Sequence, residues 1–140
     1  MAPGARLILV NTSLKQPLLT IAGATAAALA VWTVAVPVAG VDLTVRMGDG
    51  TGTVGPLMIV LTSVLAGLSG WILLAILRRR TPRAERAWPF VAPGVLIASF
   101  TGPSSNAVGA SSTVVLILLH VVVGIILTLG LMPRRRPAIP

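Results

Sequence analysis

The chain contains no cysteine, only one histidine and only three acidic residues. Without cysteine it has no disulfides, no thiol redox chemistry, no iron–sulfur ligation and no c-type haem attachment. Quinone-linked dithiol enzymes, otherwise plausible as small four-helix membrane proteins, are excluded on the same ground. A zinc centre needs three or four His, Cys or carboxylate ligands. One histidine and three scattered acids do not supply them, so no metal and no cofactor is expected. Charge is scarce as well: charged residues make up 10% of the chain, against roughly a quarter in soluble domains.

What is abundant is apolar. Of the 140 residues, 55% are hydrophobic. Polar groups are too few to cover the surface of such a chain, so the solvent it matches is lipid. Its length suits one domain, residues 1–140.

Four apolar stretches carry the punctuation of membrane crossings. Residues 17–39 open with Pro17, which suits a first helical turn, and exit through Pro37-Val38-Ala39-Gly40. Residues 55–77 open with Pro56 and close against Arg78-Arg79-Arg80, and residues 112–132 end at Pro133. Each approaches the ~20 residues a crossing requires. The third stretch is less regular. Trp88 to Thr101 supplies only about 21 Å of helix, so the helix is expected to cover residues 82–101. Thr81 would be its N-cap, Pro82 its first residue and Gly102-Pro103 its stop. Arg83 and Arg86 would then reach the headgroups. Pro89 and Pro93 would lie inside and predict a kink; the alternative is a short helix starting at Pro89. The first stretch is longer than the apolar core of a signal peptide, about 7–15 residues, and reads as a retained helix. The tail, residues 133–140, reads as disordered.

The charges give this arrangement a direction. Arg6 and Lys15 precede the first stretch, five arginines (78, 79, 80, 83 and 86) separate the second from the third, and Arg134, Arg135 and Arg136 follow the fourth. With four crossings these segments share one side, which holds ten of the eleven basic residues. The positive-inside rule then puts both termini in the cytoplasm. Asp42, Arg46 and Asp49 fall on the other side. A net charge of +8 invites a nucleic-acid reading. Juxtamembrane clusters read instead as topology anchors and contacts for anionic headgroups at the cytoplasmic face. The expected fold is an all-α integral membrane protein, a four-transmembrane-helix bundle of the plasma membrane.

The first outer loop alternates apolar and polar residues over Val41–Arg46, the period of a half-buried strand. Met47-Gly48-Asp49-Gly50 carries a turn signal, and residues 51–54 form a candidate return strand, so a short β-hairpin is expected over the outer mouth of the bundle. Asp42 and Arg46 are candidates to recognise a zwitterionic or anionic ligand; the simpler reading is a solvated pair of little energetic weight. A calcium site at Asp42 and Asp49 has too few carboxylates. The second outer loop, residues 101–112, is uncharged and rich in hydroxyls, and reads as an ordinary polar loop, with folding back among the helices as the alternative.

His120 lies about 12 Å from the start of the fourth stretch, well inside the hydrocarbon. Helical spacing places it on one face with Thr113, Ile117, Gly124 and Thr128, and puts Val115, Val122, Ile126 and Leu129 on the opposite, lipid-facing side. An ionisable group in a membrane is a functional candidate because leaving it unpaired is costly, and imidazole suits proton exchange. The competing reading is a neutral ring hydrogen-bonded to Thr33, Ser63, Ser99, Thr101 or a backbone carbonyl, gluing helices together. Ser63, Ala66, Gly67 and Gly70 line one face of the second stretch, and Gly23 and Ala27 are similarly spaced in the first. With Gly124, these are small-residue faces that permit close helix packing. Nothing in the spacing supports a triad of Ser104 or Ser105 with His120 and Asp42, or haem ligation by His120 across a homodimer.

Gly40-Val41-Asp42-Leu43-Thr44-Val45-Arg46, the run from Ala66 to Trp88, Ser99-Phe100-Thr101-Gly102-Pro103 and Leu118–Gly124 together resemble a family of small four-helix actinobacterial membrane proteins of uncharacterised function. The resemblance spans roughly residues 23–131 and implies four crossings and a plasma-membrane location. It brings no activity and no functional residues. The chain departs from it at Arg78-Arg79-Arg80, where an acidic residue is expected.

Three functions fit. The first is a non-enzymatic packing or accessory module that associates with itself or with a larger membrane protein. The second is a small-molecule carrier or proton-linked permease using His120, although no intramembrane carboxylate accompanies it. The third is an enzyme acting on a lipid-soluble substrate, with His120 and the outer-loop hydroxyls at the site; it requires a cavity beside His120, between the helices and open to the outer leaflet. Thr113, Ser99 and Thr101 join His120, Asp42 and Arg46 as ligand or proton candidates. The absence of cysteine makes the topology directly measurable. Asp49→Cys is expected to react with an impermeant maleimide on intact cells, and Arg83→Cys only after permeabilisation; the opposite pattern would invert the orientation.

Overall fold

The computed structural model describes the backbone of residues 3–132, with side chains from residue 14 onward. Helix α1 (Pro3–Thr33) runs into a π-helical turn (Val34–Val38), followed by strands β1 (Thr44–Met47) and β2 (Gly50–Thr53). Helices α2 (Pro56–Arg80), α3 (Ala84–Ser99), α4 (Thr101–Asn106) and α5 (Ala110–Gly130) complete the order. Three stretches are long and apolar enough to cross a membrane: Leu14–Val38, Pro56–Arg80 and Ala110–Gly130. The tail, with Arg134, Arg135 and Arg136, and the side chain of Arg6 lie outside the described residues.

The prolines account for several departures from the expected boundaries. Pro17 lies inside α1, which opens instead on Pro3, where a missing N–H goes unnoticed. Pro37 has no N–H for the Thr33 carbonyl, and the chain widens there into the π turn, with Ala39 N–H on Val34 O at 2.9 Å. Thr81 is not the N-cap of α3. Its extended backbone (φ −138°, ψ 121°) is the one favoured before a proline, and its N–H closes α2 on Leu77 O at 2.9 Å. Thr81-Pro82-Arg83 is therefore a connection, and α3 begins at Ala84 with Pro89 and Pro93 inside it, not at Pro82 or at Pro89.

Gly102-Pro103 does not end the third apolar stretch. In a continuous helix residue 103 would donate to the Ser99 carbonyl; proline has no N–H, and its ring crowds that carbonyl. Accordingly α3 stops at Ser99, Phe100 N–H tightens onto Ile97 O at 3.2 Å, and Ser104 N–H restarts a helix on Phe100 O at 3.1 Å. Residues 101–112 are thus not an ordinary polar loop. They contain α4, a short extended link and the first turn of α5.

Helix α1 packs against both α2 and α5, and α3 packs chiefly on α5. Glycines set the close approaches. A Cβ on Gly67 would come within 2.5 Å of Ile21 of α1, and one on Gly124 within 2.5 Å of Leu96 of α3; Gly130 likewise abuts Thr20. Gly23 is exposed, with open space where its Cβ would be. Two apolar clusters form the core. At the arginine end of α2, Ile21, Leu74, Trp88, Ala92, Leu127 and Leu131 pack together. At the hairpin end, Ala28, Leu43, Val54, Ile59, Val115 and Leu119 do so. Helix α3 contributes Trp88 and Ala92 to the first cluster and nothing to the second. The outside is apolar too: Leu19, Leu57, Phe90, Ile97 and Val114 are all exposed, the surface a lipid-solvated bundle presents.

The expected hairpin is present, two residues long in its loop. Met47 pairs with Gly50, leaving Gly48-Asp49 between them. Gly48 has φ +58° and Asp49 does not share the positive φ, the pattern of a type II′ turn with glycine first. The hairpin is tied down by groups from α1, from the link between α4 and α5, and from α5. Trp32 Nε1 donates to Val54 O at 2.9 Å, and Val108 N–H to Thr44 O at 2.9 Å. Ser112 is 0% exposed; its Oγ donates to Asp42 O at 2.8 Å and accepts from Thr44 N–H at 3.2 Å. Ser112→Ala leaves both backbone groups short of a partner and is expected to cost about 1–3 kcal/mol. The change should appear as a lower melting temperature and faster amide exchange at Thr44; unaltered exchange there would refute this role.

Candidate functional site

Because α3 leaves the core at the hairpin end, a cavity of about 700 Å³ opens between α2 and α3. Its floor is α5 and the arginine-end core, with Leu119, Leu127, Leu131 and Trp88 buried. Its rim is exposed on both sides: Met58, Thr62, Ala66 and Ser69 on α2, Val95 on α3, and Gly102 and Asn106 on α4. It is therefore a groove along the side of the bundle, facing the surroundings between two helices. Arg46 and Met47 of β1 stand at its hairpin end.

The walls are mostly apolar, and the polar side chains on them are few. Thr62 Oγ1 and Ser99 Oγ donate to carbonyls of their own helices, Met58 at 2.7 Å and Leu96 at 2.6 Å. Ser63 is buried and also lines the groove. Trp88, 2% exposed, donates from Nε1 to Thr128 O at 3.1 Å and closes the arginine end. His120 lies on the α5 wall, half-buried, with Nδ1 2.7 Å from Leu116 O. Phe100, set in the break between α3 and α4, meets the imidazole edge to face, with ring centroids 6.5 Å apart at 68°.

The groove gathers some of the expected residues and leaves others out. His120, Ser99, Arg46, Ser63, Ala66, Gly70 and Gly124 line it. Thr113 does not; its hydroxyl donates to Gly109 O at 2.9 Å. Thr101 donates to Ala98 O and Thr33 to Leu29 O. None of these hydroxyls binds His120, whose bond stays within its own helix and so glues nothing across the bundle. Asp42 is exposed and meets Ser112 through its backbone, away from the groove, so the cavity takes in Arg46 alone of that pair. The lipid-facing side of α5 also differs from expectation. Leu129 is exposed as expected, but Val115 is buried, and Val114, Leu118 and Ile125 complete the exposed stripe. The faces are rotated because α1, which packs closely on α5, takes the side the aliphatic residues occupy. Phe100 and Trp88 were not legible as site residues. Each meets its partner far along the chain, and no spacing in the sequence announces such a pairing.

Fold and groove together define a small helical membrane protein with a side-opening apolar cavity and one imidazole on its wall. The chain belongs to a family described as "Family of unknown function (DUF6069)", whose model matches residues 10–137. Neither the curated proteins nor the solved structures contain a match to it. Among the described residues no group of three or more His, Cys, Asp or Glu side chains could hold a metal ion.

Trp88→Phe removes the bond to Thr128 while keeping most of the packing. It is expected to lower stability by about 1 kcal/mol, and Trp88→Ala by about 3–5 kcal/mol. Denaturation in mild detergent would read both; equal losses would mean that the ring's bulk is not what closes this end.

Proposed function

We propose that the protein is a non-enzymatic membrane protein of four crossings that holds one lipid-soluble molecule in the groove between α2 and α3. The third crossing would be the broken pair α3–α4. Residues 84–106 supply about 34 Å at the standard rise, enough for a bilayer core. Both termini would lie in the cytoplasm of a plasma-membrane protein, with Arg78, Arg79, Arg80, Arg83 and Arg86 against anionic headgroups.

One observation carries this reading: the cavity of about 700 Å³ with apolar walls and a lateral opening. Its size lies within the ~300–1,000 Å³ range of small-molecule sites, and its opening gives access from the hydrocarbon. A module built only to pack helices would fill such a space with side chains. Here Ala66, Ser69 and Gly70 present small residues to it. The enzyme reading has the cavity it requires beside His120, but the imidazole bonds a backbone carbonyl and no carboxylate or nucleophile. Proton-coupled transport lacks a second titratable group on the groove wall apart from Arg46 at its end.

The test is extraction of the full chain directly into lipid nanodiscs, followed by mass spectrometry of everything retained. The wild type is expected to carry one lipid-soluble species enriched over the bulk membrane. Ala66→Phe and Ser69→Phe, which place a ring in the opening without touching the core, should lose it. A stoichiometric protein partner with no enriched small molecule would replace this reading with the accessory one, and the groove would then seat a helix of that partner.

A further inference from the structure

The state of His120 restricts what the groove can accept. Nδ1 lies 2.7 Å from the Leu116 carbonyl oxygen. A carbonyl oxygen can only accept, so Nδ1 bears the proton, and in the uncharged tautomer with that proton Nε2 is a bare acceptor. Nε2 has no partner among the described residues, and the ring belongs to the groove wall. Phe100, packed edge to face against the imidazole, opposes a swing of the ring away from this position. Thr62 and Ser99 on the same walls have already donated their protons to their own helices.

An unmet acceptor facing hydrocarbon is costly. A pure hydrocarbon leaves it unmet. A ketone, ester or ether sets one acceptor against another. The geometry points to a ligand that is a long apolar molecule bearing a hydroxyl, whose O–H donates to His120 Nε2 while its body lies along Val95, Leu96 and Leu127. This rests on the groove being a ligand site. An isoprenoid alcohol and an alkylated phenol present the same chemistry.

The single histidine makes the inference measurable. The full chain, labelled with ring-¹⁵N histidine in nanodiscs, has one pair of imidazole nitrogen resonances. Without added ligand, Nδ1 is expected to be protonated and Nε2 bare; a protonated Nε2 beside a bare Nδ1 overturns the inference. Four compounds are then added at equal mole fraction in the bilayer: farnesol, farnesyl methyl ether, 3-pentadecylphenol and its methyl ether. At least one hydroxyl compound should shift the Nε2 resonance and bind about tenfold more tightly than its ether, and the pair that shows the difference tells alcohol from phenol. In His120→Phe, followed by tryptophan fluorescence, the hydroxyl compound and its ether should bind alike. If alcohol and ether bind the wild type equally, hydroxyl recognition is wrong and the groove reading stands. If none of the four binds, both fall.

Discussion

Pro103 has no N–H to offer the carbonyl of Ser99, and the shape of the hairpin half of the molecule depends on that missing donor. The helix cannot keep its register past Ser99, so α3 ends and α4 sets off anew from Phe100. With α3 ended, the hairpin-end core is built from α1, α2, α5 and the hairpin alone. Val95, Leu96 and Ser99 of α3 and Gly102 and Asn106 of α4 instead line one wall of the groove. The same break places Phe100 against His120 and leads the chain through α4 to β1, where Ala107 bridges Val45 and Val108 bonds Thr44. One proline thus shapes the cavity, its imidazole and part of its roof.

The ends of the groove are held by polar side chains that complete backbone hydrogen bonding. Ser112 satisfies Asp42 and Thr44, Trp32 satisfies Val54, and Trp88 adds a bond to the Thr128 carbonyl. Gln16 Nε2 donates to Gly130 O at 2.8 Å, one of the carbonyls α5 leaves unpaired at its end. Where water is excluded, each such group needs a protein partner. These contacts fix α1, α5 and the hairpin relative to one another.

The apolar runs were legible at once, because a helix that must satisfy its own backbone in lipid needs about twenty apolar residues in succession. Three of them are helices of crossing length. The hairpin was legible from alternation and the Asp49-Gly50 signal, although the loop itself falls one residue earlier, at Gly48-Asp49. The resemblance to an uncharacterised family agrees with the family match over residues 10–137. The third stretch was misread at both ends, since Thr81 and Gly102-Pro103 are good punctuation for either neighbouring element. Only the geometry shows that Thr81 closes α2 and that Gly102 and Pro103 lie inside α4. The face of α5 was misread for a different reason. Period 3.6 shows which residues share a stripe, not which neighbour covers it.

Sequence alone determined the lipid solvent, the apolar helices, the hairpin and the isolation of His120, because each follows from composition or from contacts a few residues apart. Tertiary structure alone decided that small residues on α2 border a cavity, that Phe100 meets His120 and that the imidazole bonds within its own helix. Those outcomes depend on where α3 stands relative to α2 and α5. That position is marked by the close approach of Leu96 to Gly124 and by the bond from Trp88 to the Thr128 carbonyl, contacts between residues that no periodicity along the chain brings together.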